Sequence, residues 1–235
     1  AGYVNSGMIS SENTIPLTYT IALIAKHRFG INGVELQQVS KRWFSMAILT
    51  QMYTGNFESV FEQQMNSIEE LSEIASRLTD DYFGVTLSNE LDKNRASGPV
   101  WNGFLAAQVV LGSRVLFNTG TVAQLLLPSS SGTKKAYDKH HIFPANFLKG
   151  GPYEYAKDRR ANFVCVDYQN NIYISDDDPK LYVAKYREAL GDDAYRATCH
   201  DNALPYDFEN MEYPDFMRER RKLMSEMIKK AFLRL

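Results

Sequence analysis

The stretch Tyr137-Asp138-Lys139-His140-His141-Ile142-Phe143-Pro144 places a histidine pair at the end of a short β-prone run, directly before a proline turn. Adjacent side chains on a β-strand point to opposite faces, so the two rings cannot both enter one core. One ring can bind a metal ion while the other transfers a proton, which is the division of roles that metal-assisted hydrolysis requires. For the dipeptide alone, an inert pair at a strand end is the simpler interpretation.

Composition limits the classes of protein to which the chain can belong. Its 235 residues are 44% hydrophobic, enough for a full core in one domain or one domain with an appendage. A formal net charge of −2 gives no overall cationic field, so any nucleic-acid surface must be local. The sequence contains no membrane span and no signal peptide, and Cys165 and Cys199 form no disulfide framework. We therefore expect a cytoplasmic protein without a membrane partner.

Helical periodicity dominates the chain and predicts a mainly α fold. Helix start and stop signals predict helices from a Thr14 cap to Gly30, from Val34 to before Gly55, at 58–65, at 67–77, from Pro99 to Gly112, after Asp167, after Asp178 and from Pro214 onward. Between residues 81 and 98 the mixed sequence favours a loop with a short strand. Pro128 to Gly132 is typical of an exposed connector. The arginines of the last helix, Arg220 among them, are expected to face mostly outward.

The segment around the histidine pair is locally basic. Residues 133–161 contain 7 Lys and Arg against 3 Asp and Glu, a local charge of +4, so the rest of the chain carries −6. A basic segment of this kind is what a polyanion site requires, although an ordinary solvated loop has the same composition.

Three pieces of sequence together resemble the HNH nuclease module that ends GmrSD-type restriction proteins. They are His140-His141-Ile142-Phe143-Pro144, then Ala161-Asn162-Phe163-Val164, then Asn171-Ile172-Tyr173-Ile174-Ser175 with Pro179 and Tyr182 behind. The resemblance extends outside the module. The helical segment that precedes the module in that family resembles residues 15–17, 42–44 and 52–55, and the closing helix of the family resembles residues 216–221. The resemblance covers nearly the whole chain, but only the three HNH pieces are mechanistically specific.

The resemblance implies a helical domain that encloses a small ββα-metal module. We expect a helical region at 1–127, the HNH module at 128–190, and C-terminal helices at 191–235 that pack back on the helical region. The motif spacing fits this order: Asn162 follows His141 by 21 positions and Asn171 follows Asn162 by 9, enough for strand, loop, strand and helix.

The resemblance also assigns roles to individual residues. His140 matches the metal ligand, and His141 matches the general base that takes a proton from the attacking water. Asn162 matches the middle asparagine that ties the loop across the hairpin and helps to orient the base. Asn171 matches the second metal ligand, which the helix carries.

Further residues are expected around these four. Asn170 is the neighbour and rival of Asn171, although the spacing to Ile174 favours Asn171. Asp138 is an expected outer partner of a histidine ring. Arg159 and Arg160 can hold phosphate through bidentate contacts, or can be ordinary surface arginines.

The expected reaction is hydrolysis of DNA phosphodiesters with one divalent ion. Mg²⁺ or Mn²⁺ is favoured, and the imidazole would also accept Zn²⁺ or Ni²⁺. Because the chain starts at Ala1 with little preamble, we expect a fragment of a longer anti-phage restriction protein. The family resemblance implies an N-terminal partner domain of the ParB-like nucleotidase class, which senses modified DNA. The alternative is a catalytically silent nucleic-acid-binding or partner-docking module with an HNH-like fold.

Overall fold

The computed structural model describes residues 1–67, 80–127, 138–174, 176 and 178–235. This part of the chain is mainly helical, which confirms the predicted class, and contains one two-stranded sheet. None of its helices is both long and apolar enough to cross a membrane. In chain order its α-helices are α1 (Thr14–Phe29), α2 (Gly33–Leu49), α3 (Phe57–Ser67), α4 (Leu87–Leu91), α5 (Gly98–Leu111), α6 (Val122–Leu126), α7 (Ala145–Leu148), α8 (Tyr168–Ile174), α9 (Pro179–Leu190), α10 (Asp192–Asp201) and α11 (Tyr213–Leu233). The strands are β1 (Asp138–His141) and β2 (Phe163–Val166), and a π-helical turn (Tyr82–Thr86) leads into α4.

The helical core forms where α5 packs against both α2 and α11. Residues 45–49 of α2 are all buried, because its C-terminal half is apolar nearly all round. Trp43 of α2 and Trp101 of α5 are among the largest buried side chains. Trp43 Nε1 donates to Tyr53 Oη at 3.0 Å, so this ring is buried without leaving its N–H donor unpaired.

Glycine and proline mark helix ends that the sequence predicts. Gly30 ends α1 and Gly112 ends α5, both in the left-handed region with φ of 70° and 71°. This conformation costs glycine little because it has no Cβ. Pro99 lies in the first turn of α5. The predicted cap of α1 is wrong by one residue, since Thr14 is the first helical residue and Asn13 precedes it as the capping residue.

The loop with a short strand predicted between residues 81 and 98 is wrong for the first half of this segment, which is the π-helical turn and α4. A loop follows at 92–97, where Asn94 forms an isolated antiparallel β-bridge with Arg159 in place of a strand. Phe83, Leu87 and Leu91 lie four residues apart and are all buried. Phe83 packs on Phe232 of α11 with ring centroids 5.9 Å apart. Burial of this apolar stripe outweighs the weak local helix propensity. The helix predicted at 67–77 and the connector at 128–132 fall wholly or almost wholly outside the described residues.

Residues 138–174 form a hairpin–helix unit, which consists of β1, the loop, β2 and α8. The strands are antiparallel, with His140 opposite Val164 and His141 opposite Phe163. Asp167 ends the hairpin and caps α8, because its Oδ1 accepts the backbone N–H of Asn170 at 3.0 Å. The order of strand, loop, strand and helix is therefore the one that the motif spacing predicts.

Buried hydrogen bonds attach this unit to the helices around it. The contacts are Tyr182 Oη to the Ile142 carbonyl at 2.7 Å, Tyr213 Oη to the Ala156 carbonyl at 2.8 Å, and Arg220 Nη2 to the Phe163 carbonyl at 3.3 Å. The outward orientation expected of the last helix's arginines is wrong for Arg220, which is fully buried in the core. Buried hydrogen bonds resist displacement because breaking one leaves an unsatisfied polar group, so these contacts hold the hairpin in place.

Candidate active site

β1 presents its two histidines to different surroundings. His140 is 7% exposed and its ring faces α8 and α9, with its centroid 6.5 Å from that of Tyr182. His141 packs against Phe163, its partner across the hairpin, with ring centroids 4.2 Å apart. The strand thus gives one ring a buried environment and the other a partly exposed one.

His140 and Asn171 meet across the hairpin–helix unit. Their Nδ1 and Oδ1 atoms are 2.9 Å apart, and Asn171 Nδ2 donates to Asp138 Oδ2 at 3.2 Å. Because a carboxylate can only accept a hydrogen bond, Asp138 requires the amide nitrogen and thereby turns the amide oxygen toward His140. Asp138 was expected to contact a histidine ring, but it instead orients the asparagine.

Burial lowers the pKa of His140 to about 4, against the opposing effects of the Asn171 hydrogen bond and the Asp176 carboxylate. The ring is therefore neutral near pH 7, which is the form that binds metal ions. His140 Nε2 is buried and has no hydrogen-bond partner among the described residues. Asn171 Oδ1 can only accept a hydrogen bond, so His140 Nδ1 carries the proton of the neutral ring and donates at 2.9 Å. Adjacent ligands of an octahedral ion with bonds of about 2.1 Å also lie about 3 Å apart, so the two atoms would suit one ion once that proton moves to Nε2.

A polar cleft of about 260 Å³ opens beside the two histidines. It is lined by Lys139, His140, His141, Pro144, Ala145, Asn171 and Asp176. Asp176 is a site residue that the sequence analysis missed. Its Oδ2 accepts a hydrogen bond from Asn146 Nδ2 at 2.8 Å, which places a carboxylate at the cleft. The only signal in the sequence is a run of three aspartates at 176–178, which is also typical of an exposed turn.

His141 contacts a second carboxylate that the sequence analysis missed. Its Nε2 lies 3.0 Å from Asp158 Oδ1, while Lys157 Nζ lies 3.3 Å from the other carboxylate oxygen. Partial burial raises the pKa of Asp158, but the hydrogen bonds with His141 and Lys157 outweigh it and leave the pKa below its usual value. Asp158 is therefore ionised near pH 7. It follows His141 by 17 residues, and no sequence motif connects the two.

Asn162 closes the loop between the strands, as the resemblance implies for the middle asparagine. Its side chain accepts from the Phe143 N–H and donates to the Phe143 and Lys157 carbonyls, each at 2.9 Å. The residue is fully buried and does not line the cleft. Its contacts are therefore those of a residue that positions the loop, and not those of a catalytic group that lines the cleft.

Asn170, the alternative to Asn171 as metal ligand, does not face the histidine pair. Asn170 donates to Asp167 and accepts from Tyr186 Oη at 2.6 Å, so its amide faces away from His140 and does not compete with Asn171.

Arg159 and Arg160, for which phosphate contacts and an ordinary surface position were both open, make intramolecular contacts. Arg159 Nη1 donates to both carboxylate oxygens of Asp92, each at 2.9 Å. Arg160 is 8% exposed and donates to the carbonyls of Glu90, Arg95 and Ser97. The phosphate role is corrected for Arg160, because reaching solvent would break three hydrogen bonds in the interior.

A larger groove, of about 590 Å³, lies between α10 and α11, away from the histidine pair. Its lining is mostly apolar, and it includes Cys199, whose thiol pKa is raised to about 11 by burial. Such a thiol is protonated at neutral pH and is a poor nucleophile. The smaller cleft is the stronger candidate because its polar groups converge.

No group of three or more His, Cys, Asp or Glu side chains within the described ranges is arranged to hold a metal ion. A ligand pair of one histidine and one asparagine is not a group of that kind. In comparisons with known proteins, no family model matches the chain, and no curated protein or solved structure is significantly similar to it.

Proposed function

We propose that this chain is a metal-dependent endonuclease of the HNH type, which hydrolyses phosphodiester bonds in DNA. The observation that carries the proposal is the convergence of His140, His141 and Asn171 on one polar cleft. The 2.9 Å spacing of His140 Nδ1 and Asn171 Oδ1 suits one ion, and His141 lies beside them with a different partner. The strand–loop–strand–helix order of the unit supports the same assignment.

His140 and Asn171 would hold the ion, with the Asp176 carboxylate at the same cleft. A neutral imidazole, an amide oxygen and a carboxylate suit Mg²⁺ or Mn²⁺, and they leave further positions for water and a phosphate oxygen. A bound ion would supply charge neutralisation for the phosphate and the departing oxygen. The carboxylate offsets part of the ion's charge, and Lys139 at the cleft adds a cation for the substrate.

His141 would act as the general base. Its Nε2 faces Asp158, so Nδ1 is the ring nitrogen left to take a proton from water. The water oxygen then bonds to phosphorus as the bond from phosphorus to the 3′ oxygen breaks. The 3′ oxygen takes a proton from solvent, so the products are a 5′ phosphate and a 3′ hydroxyl.

The wider role rests on the sequence resemblance. We place the chain as the effector half of a modification-dependent restriction protein that acts against phage DNA in the cytoplasm. Its partners would be DNA and an N-terminal nucleotidase domain that senses the modification. Alone, the effector half would nick with little sequence preference.

Incubation with supercoiled plasmid tests the activity, in EDTA and with Mg²⁺, Mn²⁺, Zn²⁺ or Ni²⁺ added separately. We expect metal-dependent nicking that His141→Ala lowers by at least about 100-fold, which is the usual size of general-base effects. The matched control is His27→Ala, since His27 is exposed on α1 and remote in sequence from the hairpin–helix unit. Nicking that survives His141→Ala would contradict the assigned base. DNA binding without cleavage under any metal would favour the silent module.

A further inference from the structure

His141 and Asp158 form a pair that goes beyond the roles assigned so far. His141 Nε2 lies 3.0 Å from Asp158 Oδ1, and the Phe163 ring supports the imidazole from the side at 4.2 Å. Among the described residues, His141 Nδ1 has no hydrogen-bond partner. The two ring nitrogens are therefore chemically distinct, because one faces a carboxylate and the other does not, and the residue lines the cleft.

A carboxylate at Nε2 selects one form of the ring. An ionised carboxylate only accepts hydrogen bonds, so Nε2 must carry the proton and Nδ1 must carry the lone pair. In Ser-His-Asp triads an asparagine in place of the aspartate stabilises the wrong tautomer, and kcat falls about 10⁴-fold with the geometry intact. The same physical reasoning applies to any histidine base whose second ring nitrogen donates a hydrogen bond to a carboxylate.

The helical region holds Asp158 in position. The backbone carbonyl of Asp158 accepts the Arg95 N–H at 2.8 Å, and the Lys93 carbonyl accepts the Arg160 N–H at 2.8 Å. Asn162, which bonds the Lys157 carbonyl, fixes the same segment from the other side. The carboxylate is thus presented by backbone contacts between two segments distant in sequence, and not by a flexible loop alone.

We propose that Asp158 is a positioning residue that holds His141 with its proton on Nε2, so that Nδ1 serves as the proton acceptor. This inference rests on the proposed nuclease function. It assigns the helical region a part in catalysis, because residues 93–95 anchor the segment that carries the carboxylate.

Asp158→Asn tests the pair with almost no change in shape. The new amide can donate to Nε2, which would move the ring proton to Nδ1. We expect long-range ¹H–¹⁵N NMR at pH 8 to show the Nε2–H tautomer of His141 in the unaltered protein and the Nδ1–H tautomer in the variant. His141→Ala assigns the signals. Plasmid nicking should fall by about 10²- to 10⁴-fold in kcat, while Mn²⁺ affinity and thermal stability stay close to those of the unaltered protein.

Two further variants separate positioning from a structural or electrostatic role. Asp158→Glu keeps an acceptor and should restore the Nε2–H tautomer and part of the activity. Lys157→Gln removes the neighbouring charge that contacts the same carboxylate, and it should leave the tautomer unchanged.

An Nδ1–H tautomer in the unaltered protein, or an unchanged tautomer in Asp158→Asn, would overturn the proposal. Full activity in Asp158→Asn with a flipped tautomer would also overturn it. If the unaltered protein does not nick DNA, the proposed nuclease function is refuted. The NMR measurement needs no substrate, so it still decides whether Asp158 sets the tautomer of His141.

Discussion

Asn171 Oδ1 lies 2.9 Å from His140 Nδ1, so the helix after the hairpin reaches back to the strand that begins it. Asp138 sets the direction of the asparagine amide, and burial keeps the imidazole neutral. Two elements separated by a long loop thereby present one nitrogen and one oxygen at a spacing that suits a shared ion.

Replacing Asn171 by alanine should weaken Mn²⁺ binding by about 100-fold or more, because the variant loses a metal ligand. Losing a residue that only contacts a ligand already lowers metal affinity or activity by about 10- to 100-fold. Isothermal titration calorimetry measures the affinity. Asn170→Ala is the matched control, since the Asn170 amide faces Asp167 and Tyr186 and should leave Mn²⁺ affinity unchanged. Equal losses in both variants would show that the helix, and not the ligand, was disturbed.

Asp176→Asn should lower Mn²⁺ or Mg²⁺ affinity by about tenfold or more, because the cleft loses its only carboxylate among the described lining residues. Zn²⁺ affinity should fall less, since Zn²⁺ depends more on the imidazole. Isothermal titration calorimetry with Mn²⁺, Mg²⁺ and Zn²⁺ measures these affinities. Asp215→Asn, a change of a half-exposed side chain on α11, serves as control. Unchanged affinity for all the metals would exclude Asp176 from the site.

Stability in metal-free buffer should depend on pH through His140. Its pKa is lowered from 6.5 to about 4 by burial, so between these values the unfolded chain binds more protons than the folded one. The stabilisation is fully present above about pH 6.5 and is lost as the pH falls toward about 4, by at most about 3 kcal/mol. Urea unfolding at several pH values with EDTA present measures this loss. His140→Gln should flatten the dependence, whereas His27→Gln should not. If the free energy of unfolding of the His140 variant depends on pH as steeply as that of the unaltered protein, His140 is not the cause of the pH dependence.

Asn162→Ala should destabilise the fold by about 2–4 kcal/mol, because it leaves buried groups of Phe143 and Lys157 without partners. Urea unfolding at pH 7 measures the change. Asn89→Ala on the exposed face of α4 is the control and should change stability by less than about 0.5 kcal/mol. A loss as small as that of the control would mean that Asn162 does not hold the loop.

Much of the helical architecture follows from local signals. Gly30 and Gly112 end helices, Pro99 opens one, and Asp167 caps α8, because each acts through backbone atoms a few residues away. The segment around Phe83 was predicted wrongly for the opposite reason. Its helix depends on burial against α11, far away in the sequence.

The sequence by itself determined that two adjacent histidines on a strand must face different surroundings, because the side-chain period of a strand is two. It also determined the order of strand, loop, strand and helix. The sequence resemblance already paired Asn171 with His140, but only the tertiary structure placed the Asp176 carboxylate at their cleft and the Asp158 carboxylate against His141. The tertiary structure also showed that Arg160, a candidate phosphate contact, is buried and donates hydrogen bonds to backbone carbonyls within residues 90–97. The physical reason is that these contacts join residues 17 to 70 positions apart, and their choice depends on packing that no local pattern encodes.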